Sequence, residues 1–302
     1  MLKNKLIGMG VALVTPFKED GSIDFVALER LIEYQIYSDT NYLVVCGTTA
    51  ETPTLTAQER EDITRFVVKK ADGRIPIVLG VGGNNTAAVV EQIRDTNLDG
   101  ISAILSVTPY YNKPSQEGLY QHYKAIAIST DMPIILYNVP GRTSVNISSQ
   151  TTLRLANEFA NIVAIKEASG NFKQIDEIIK NKPKTFMVIS GDDGITFPLI
   201  TLGAEGVISV IGNALPKEFG SMVRFALRGD LIGAREIHYR FTELMDLLFI
   251  DGNPAGVKSM LSMMGLIENH LRLPLVPTTV ATMEKMKKIL AEINKLEDKI
   301  LC

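Results

Sequence analysis

The chain has 302 residues, 46% hydrophobic and 22% charged, with 34 acidic side chains against 31 basic ones. That composition belongs to a globular protein and excludes a disordered or fibrous one, while a net charge of −3 leaves no basic surplus for a nucleic-acid backbone. Two cysteines, Cys46 and Cys302, make no disulfide framework and fit a reducing cytoplasm.

The N-terminal stretch superficially resembles a secretion signal, with Lys3 and Lys5 ahead of the apolar run 6–14. No small-residue cleavage site follows it, and Thr15-Pro16-Phe17-Lys18 reads as a strand end and loop. No later apolar stretch reaches the ~20 residues that span a bilayer, so a soluble protein with no membrane partner is expected.

Apolar bursts of strand length then recur along the chain. They are Met9–Val14, Tyr42–Cys46, Ile75–Gly80, Gly100–Val107, Pro133–Tyr137, Ile162–Lys166, Phe186–Ser190 and Gly206–Val210. Rich in Val and Ile and nearly continuous, they fit strands buried on both faces. Helical periods lie between them. Asp24–Tyr37 places Leu28, Leu31, Ile32 and Ile36 on one face. Thr56 with Glu59 has the form of a capping box, Asn171 precedes Gln174 by three residues, and Pro216 suits a first helical turn. This alternation predicts a parallel α/β protein. Eight βα units by about residue 228 fit a closed (β/α)8 TIM barrel better than an open sheet. From Asp230 the strands stop, and Leu231–Phe249, Pro254–Met264 and Thr278–Lys295 read as helices. Residues 1–229 are therefore expected to form the barrel carrying the active site, with 230–302 a C-terminal helical region packed on it. Met260, Met263 and Met264 read as core or interface packing.

Active-site groups of such barrels lie where the strands end. Lys166 closes the sixth strand. It is either a solvated rim charge or an amine nucleophile whose pKa is lowered among apolar walls. Strand alternation places Lys166 and Ala164 inside the barrel, with Ile165 and Glu167 facing the helices. Thr48 and Thr49 follow Gly47 and form either a turn or a set of donors for a carboxylate. Of Tyr110 and Tyr111, one reads as ordinary aromatic packing. Tyr137 either caps the barrel core or relays protons near a Schiff base. Arg142, after a Pro-Gly turn, is a surface charge or the partner of a substrate carboxylate.

Other chemistries find no support. His122, His238 and His270 lack metal-ligand spacing, so no metal is expected. There is no G-x-S-x-G elbow and no P-loop. Gly80-Val81-Gly82-Gly83 lacks the third glycine of a dinucleotide fingerprint and reads as a tight strand-to-helix turn. Asp192 and Asp193 read as caps of the following helix.

Five segments together carry a resemblance. Gly47-Thr48-Thr49-x-Glu51, Thr108-Pro109-Tyr110-Tyr111, Tyr137-Asn138-Val139-Pro140-x-Arg142-Thr143, Ile165-Lys166-Glu167-Ala168-Ser169-Gly170 and Gly206-Val207-Ile208-Ser209-Val210 resemble the dihydrodipicolinate synthase family. That family lies within the pyruvate-dependent class I aldolases, as does N-acetylneuraminate lyase. The resemblance implies condensation of pyruvate with L-aspartate 4-semialdehyde to 4-hydroxy-tetrahydrodipicolinate, the committed step toward diaminopimelate and lysine. It implies an imine on Lys166 and a proton relay of Thr48, Tyr137 and Tyr111, the last from a neighbouring subunit. It further assigns Thr49 to the pyruvate carboxylate, Arg142 to the semialdehyde carboxylate, and Gly191 and Ile208 to backbone contacts in the pocket. It implies no metal or organic cofactor, and a homodimer or a tetramer built as a dimer of dimers.

Two alternatives stand beside this reading. An aldolase for N-acetylneuraminate or a 2-keto-3-deoxy sugar acid would share the lysine and the tyrosine. A catalytically silent metabolite-binding barrel belongs to another class, and intact Lys166, Tyr137 and Thr48 speak against it. The chain also departs from the family pattern: Ala50 replaces a usual glycine, and Gly252-Asn253-Pro254-Ala255-Gly256-Val257-Lys258 varies on an N-P-x-P-x-K segment. Lysine-inhibited relatives carry His, His and Glu where this chain has Ala57, Arg60 and Ala88. Without those polar ligands, lysine should inhibit weakly or not at all; strong inhibition at sub-millimolar lysine in a steady-state assay would refute this.

Overall fold

In the computed structural model, which describes residues 3–300, eight strands close into a barrel in sequence order. They are β1 (Gly8–Ala12), β2 (Tyr42–Val45), β3 (Ile77–Gly80), β4 (Ala103–Val107), β5 (Ile134–Asn138), β6 (Ile162–Glu167), β7 (Met187–Ser190) and β8 (Gly206–Ser209). Every neighbouring pair is parallel, and β8 returns to β1. Each predicted burst overlaps one strand, but β3 and β4 start two and three residues late. Pro76 has no N–H for the ladder, and Gly100, in the left-handed region at φ 80°, is the third residue of a turn closed by Ile101 N–H on the Leu98 carbonyl. Cys302 lies outside the described residues, and Cys46 is buried and free.

A short α1 (Lys3–Leu6) precedes β1. The outer ring comprises α2 (Phe25–Tyr37), α3 (Ala57–Ala71), α4 (Thr86–Asp95) and α5 (Gln116–Ala127), with a short α6 (Pro140–Thr143) in the loop after β5. It continues with α7 (Ser149–Glu158), α8 (Phe172–Asn181), α9 (Thr196–Leu202) and α10 (Pro216–Arg228). The expected start signals do their work. Asp24 caps α2, Thr56 and Glu59 form a reciprocal capping box on α3, Asn171 takes the Gln174 N–H, and Pro216 opens α10.

Strand alternation sorts the core into two layers. Ala12, Val44, Val78, Leu105, Ile135, Ala164, Met187 and Ile189 fill the barrel interior. Val11, Leu43, Ile77, Ile104, Leu136, Ile165 and Val188 meet the helices. Gly80 is required by proximity more than by turning: a Cβ there would stand 2.2 Å from the Cys46 carbonyl oxygen at the exit of β2.

Beyond residue 230 come α11 (Leu231–Ile250), α12 (Ala255–Met263) and α13 (Val280–Ile300). The last starts later than its apolar pattern suggests, because Thr279 takes the Thr282 N–H on its hydroxyl while its own N–H binds Asp251. No helix among the described residues is long and apolar enough to cross a membrane.

These helices are joined to the barrel by a buried ion pair that sequence reading did not anticipate. Lys258 and Glu51, both fully buried, meet side chain to side chain. Lys258 also donates to the His270 carbonyl at 2.9 Å, and the second oxygen of Glu51 accepts the Arg272 N–H at 3.0 Å. Arg272 in turn forks onto Glu59, and both cations lie over the Phe17 ring, Lys258 Nζ 4.2 Å and Arg272 Cζ 4.5 Å from its centre. Burial pushes the Lys258 ammonium down to about 8, Glu51 holds it up, and Arg272 pushes it further down. Lys258→Ala strands a buried carboxylate and should cost about 3–5 kcal/mol in urea unfolding. Lys258→Met combined with Glu51→Gln should recover much of that loss; a single-variant cost below about 1 kcal/mol would show the pair to be dispensable.

Candidate active site

The carboxyl ends of the strands open into a cavity of about 700 Å³. Lys166, the last inward residue of β6, is 5% exposed and lines it, with Nζ 4.3 Å from the centre of the Tyr137 ring. Parallel pairing brings them together, since Tyr137 on β5 is the register partner of Lys166. The long stem rests on apolar neighbours while the amine emerges against the negative face of an aromatic ring. Neither the Tyr137 hydroxyl nor that of Thr48 has a partner among the described residues, and both residues line the cavity. The loop after β7 leaves the lysine room. At Gly191 a Cβ would lie 3.0 Å from Lys166 Cε and 2.7 Å from Ala168 Cβ.

Thr48 and Thr49 sit on a single 3-10 turn (Thr48–Ala50) between Cys46 and Glu51, whose φ angles are 54° and 57°. The turn is pinned from several sides. Thr15 donates to the Ala50 carbonyl at 2.8 Å, Thr52 to the Gly47 carbonyl at 2.7 Å, and Asn253 Nδ2 to Thr49 Oγ1 at 3.0 Å.

Arg142 rides on α6 at the rim, exposed, with no partner for its guanidinium among the described residues. The loop beneath it is held by buried polar groups. Asn138 Nδ2 donates to both oxygens of Glu167 at 3.1 and 3.0 Å and to Asn146 at 2.8 Å, while Asn138 Oδ1 accepts the Ile147 N–H. Glu167, fully buried on the helix side of β6, has its acid strength reduced by burial, a shift opposed by donors from Ser169 and Asn138. Among the described residues no three His, Cys, Asp or Glu side chains converge as a metal-holding group.

The chain that carries this site is similar to known proteins over nearly its whole length. Residues 5–293 match the model of the dihydrodipicolinate synthetase family. A 4-hydroxy-tetrahydrodipicolinate synthase of Parabacteroides distasonis is 66% identical over 289 residues, 96% of this chain and 97% of its own length. That of Phocaeicola vulgatus is 64% identical, covering 97% of this chain and 99% of the relative. A crystal structure of the dihydrodipicolinate synthase from Aquifex aeolicus superposes with a TM-score of 0.93 at 46% identity, over 96% of this chain and 98% of that one. The chain belongs to this family.

Within the family frame, the structure brings Lys166, Tyr137, Thr48, Thr49, Arg142 and Gly191 onto one cavity. Ile208 is buried in the barrel interior beside that cavity, whose wall its neighbour Val210 reaches. Tyr110 and Tyr111 do not pack into the core as one of them was expected to. They are 42% and 89% exposed, Tyr111 in the left-handed region at φ 74°, and neither lines the cavity of its own chain. The acidic pair also divides its labour. Asp192 caps the next turn through the Gly194 N–H, but Asp193 is buried and binds the N–H groups of Val210 and Ile211 at 2.9 and 2.8 Å, fixing the loop after β8. Sequence reading missed the α11 side of the cavity, where Met245, Asp246 and Phe249 contribute, and it missed Asn253. The signal lay in the Asn253–Lys258 segment, which looked only like a departure from pattern.

Asp193 Oδ1 has no partner, and burial raises this acid from 3.8 to about 6 against the donors from Ile211, Ser209 and Val210. A raised folded-state value means the stabilising contribution is complete below 3.8 and is lost as pH rises through about 6. Asp193→Asn cannot ionise and should flatten that slope. Urea unfolding of both proteins at several pH values across this interval checks it, and identical pH responses would exonerate Asp193.

Proposed function

We propose that the chain condenses pyruvate with L-aspartate 4-semialdehyde through a covalent imine on Lys166. The observation that carries this reading is the buried Lys166 amine on a cavity floor, 4.3 Å from the Tyr137 ring centre, in a chain of this family. The neutral amine attacks the C2 ketone of pyruvate, and loss of water leaves the imine. Removal of a C3 proton then gives the enamine. Tyr137 and Thr48 have free hydroxyls for that transfer, and Tyr111 completes the relay from a second copy of the chain. Its 89% exposure and its absence from its own cavity support that assignment. The working unit is then at least a homodimer, or a tetramer of two such dimers.

Thr49 holds the pyruvate carboxylate, with backbone contacts from Gly191 and Ile208. The enamine carbon attacks the aldehyde while the unpartnered Arg142 guanidinium takes the semialdehyde's carboxylate. A planar fork matched to a carboxylate suits that task. The substrate amine then attacks the imine carbon, closing the ring and releasing the Lys166 amine. The product is 4-hydroxy-tetrahydrodipicolinate, and the Lys166 amine serves as nucleophile with no metal or organic cofactor. The names of the relatives support this substrate pair. The free arginine favours it over a sugar acid, whose hydroxyls would call for several polar groups.

Borohydride reduction in the presence of pyruvate, followed by peptide mapping, should place the adduct on Lys166; an adduct elsewhere, or none, overturns the mechanism. Arg142→Ala should still trap pyruvate yet raise KM for the semialdehyde by about 10–100-fold. Parallel turnover of aspartate semialdehyde and N-acetylneuraminate separates the two aldolase readings.

A further inference from the structure

We propose that Asn253 is a positioning residue that commits the Thr49 hydroxyl to donate into the cavity, toward the carboxylate of the keto acid. This rests on the reading above that Thr49 holds that carboxylate. Asn253 lies in the turn 251–254 between α11 and α12, more than two hundred residues along the chain from the threonines, and is 6% exposed. Its Nδ2 donates to Thr49 Oγ1 at 3.0 Å, and that is the sole hydrogen bond of the Thr49 side chain among the described residues. A hydroxyl has one hydrogen to give. With an oxygen lone pair taken by the amide, the hydrogen of this 2% exposed threonine points elsewhere, and no protein acceptor is there to receive it. An anionic oxygen in the cavity is the acceptor that such a donor lacks.

The amide is retained for its donor. Its Oδ1 is buried and has no partner, so acceptance plays no part in holding it. The same two chain segments meet a second time where Lys258 joins Glu51, two residues beyond Thr49. The ion pair sets the distance between the segments, and the amide sets the direction of one hydrogen. An aspartate would reverse that direction, because a carboxylate accepts the threonine's hydrogen instead of donating.

Steady-state kinetics with pyruvate varied at saturating semialdehyde tests this. Asn253→Ala should raise KM for pyruvate by about tenfold, the effect of one charge-assisted hydrogen bond made less certain, with kcat changed by less than about threefold. The nearly isosteric Asn253→Asp should raise it further. In a Thr49→Val background, Asn253→Ala should add nothing. Borohydride trapping at saturating pyruvate, still stoichiometric at Lys166, shows that each variant is folded. If Thr49→Val leaves KM unchanged, the reading of Thr49 falls, and this inference with it. If Thr49→Val raises KM while Asn253→Ala does not, or the two effects simply multiply, the inference alone falls. An Asn253→Asp enzyme with wild-type KM also overturns it.

Discussion

A lysine and a glutamate without solvent join the far end of the chain to its first functional turn. Taking Lys258 and Glu51 out of water is costly, and their attraction offsets the cost only when the remaining donors and acceptors are met. Here both Glu51 oxygens are matched, by Lys258 and the Arg272 N–H, and Lys258 also donates to the His270 carbonyl while lying over the Phe17 ring. The pair therefore has one satisfied geometry, which places the turn bearing Thr48 and Thr49 relative to α12. That turn needs such help. Two of its flanking residues, Cys46 and Glu51, are non-glycine residues in the left-handed region, a conformation that persists where the surroundings over-determine it. The hydroxyls of Thr15 and Thr52 supply the rest of the restraint. The strained backbone on either side of the threonines is thus held by contacts more than two hundred residues away along the chain.

The barrel contributes a different kind of restraint. Its interior is a packed core, so chemistry is confined to the last inward side chain of each strand. On β6 the inward sequence is Ala164 and then Lys166, and on β5 it is Ile135 and then Tyr137. Register alone sets the amine beside the phenol, with an apolar layer of Met187 and Ile189 alongside. Depth follows from the same stacking: the stem of Lys166 is sealed from water while its tip reaches the cavity. Gly191 is the concession made by the adjoining strand, since any Cβ would crowd that stem.

What could be read in the sequence follows from these two kinds of restraint. Strand existence, helix caps and the inward face of Lys166 are local consequences of period and spacing, and the bursts and capping residues carried them. The resemblance added roles for residues whose chemistry was ambiguous by itself, such as Arg142. Contacts between distant segments left no periodic trace. Asn253 is a polar residue in a turn and Lys258 one in a helix of mixed character, and nothing local says that both are buried against residues 49 and 51. Asp193 was misread for a similar reason. Its spacing to the next helix fits a cap, and only the closure of β8 against β7 brings the Val210 and Ile211 N–H groups within its reach.

The distribution of carboxylates around the cavity completes the electrostatic argument. A site for two carboxylated substrates works against any ionised acid left facing it. Of the buried acids nearby, Glu51 is matched by Lys258, Glu167 points to the helix side and is held by amides, and Asp193 turns to two backbone N–H groups. The acids that do line the cavity, Asp192 and Asp246, are exposed, where water screens them. The charged groups left to dominate are Lys166 on the floor and Arg142 at the rim. They differ in burial. The lysine stem is sealed among apolar walls with only its tip in the cavity, whereas the guanidinium stands in solvent with no partner among the described residues. For the condensation proposed above, the depth of the amine suits a small keto acid, and the position of the arginine at the entrance suits the carboxylate of the longer semialdehyde.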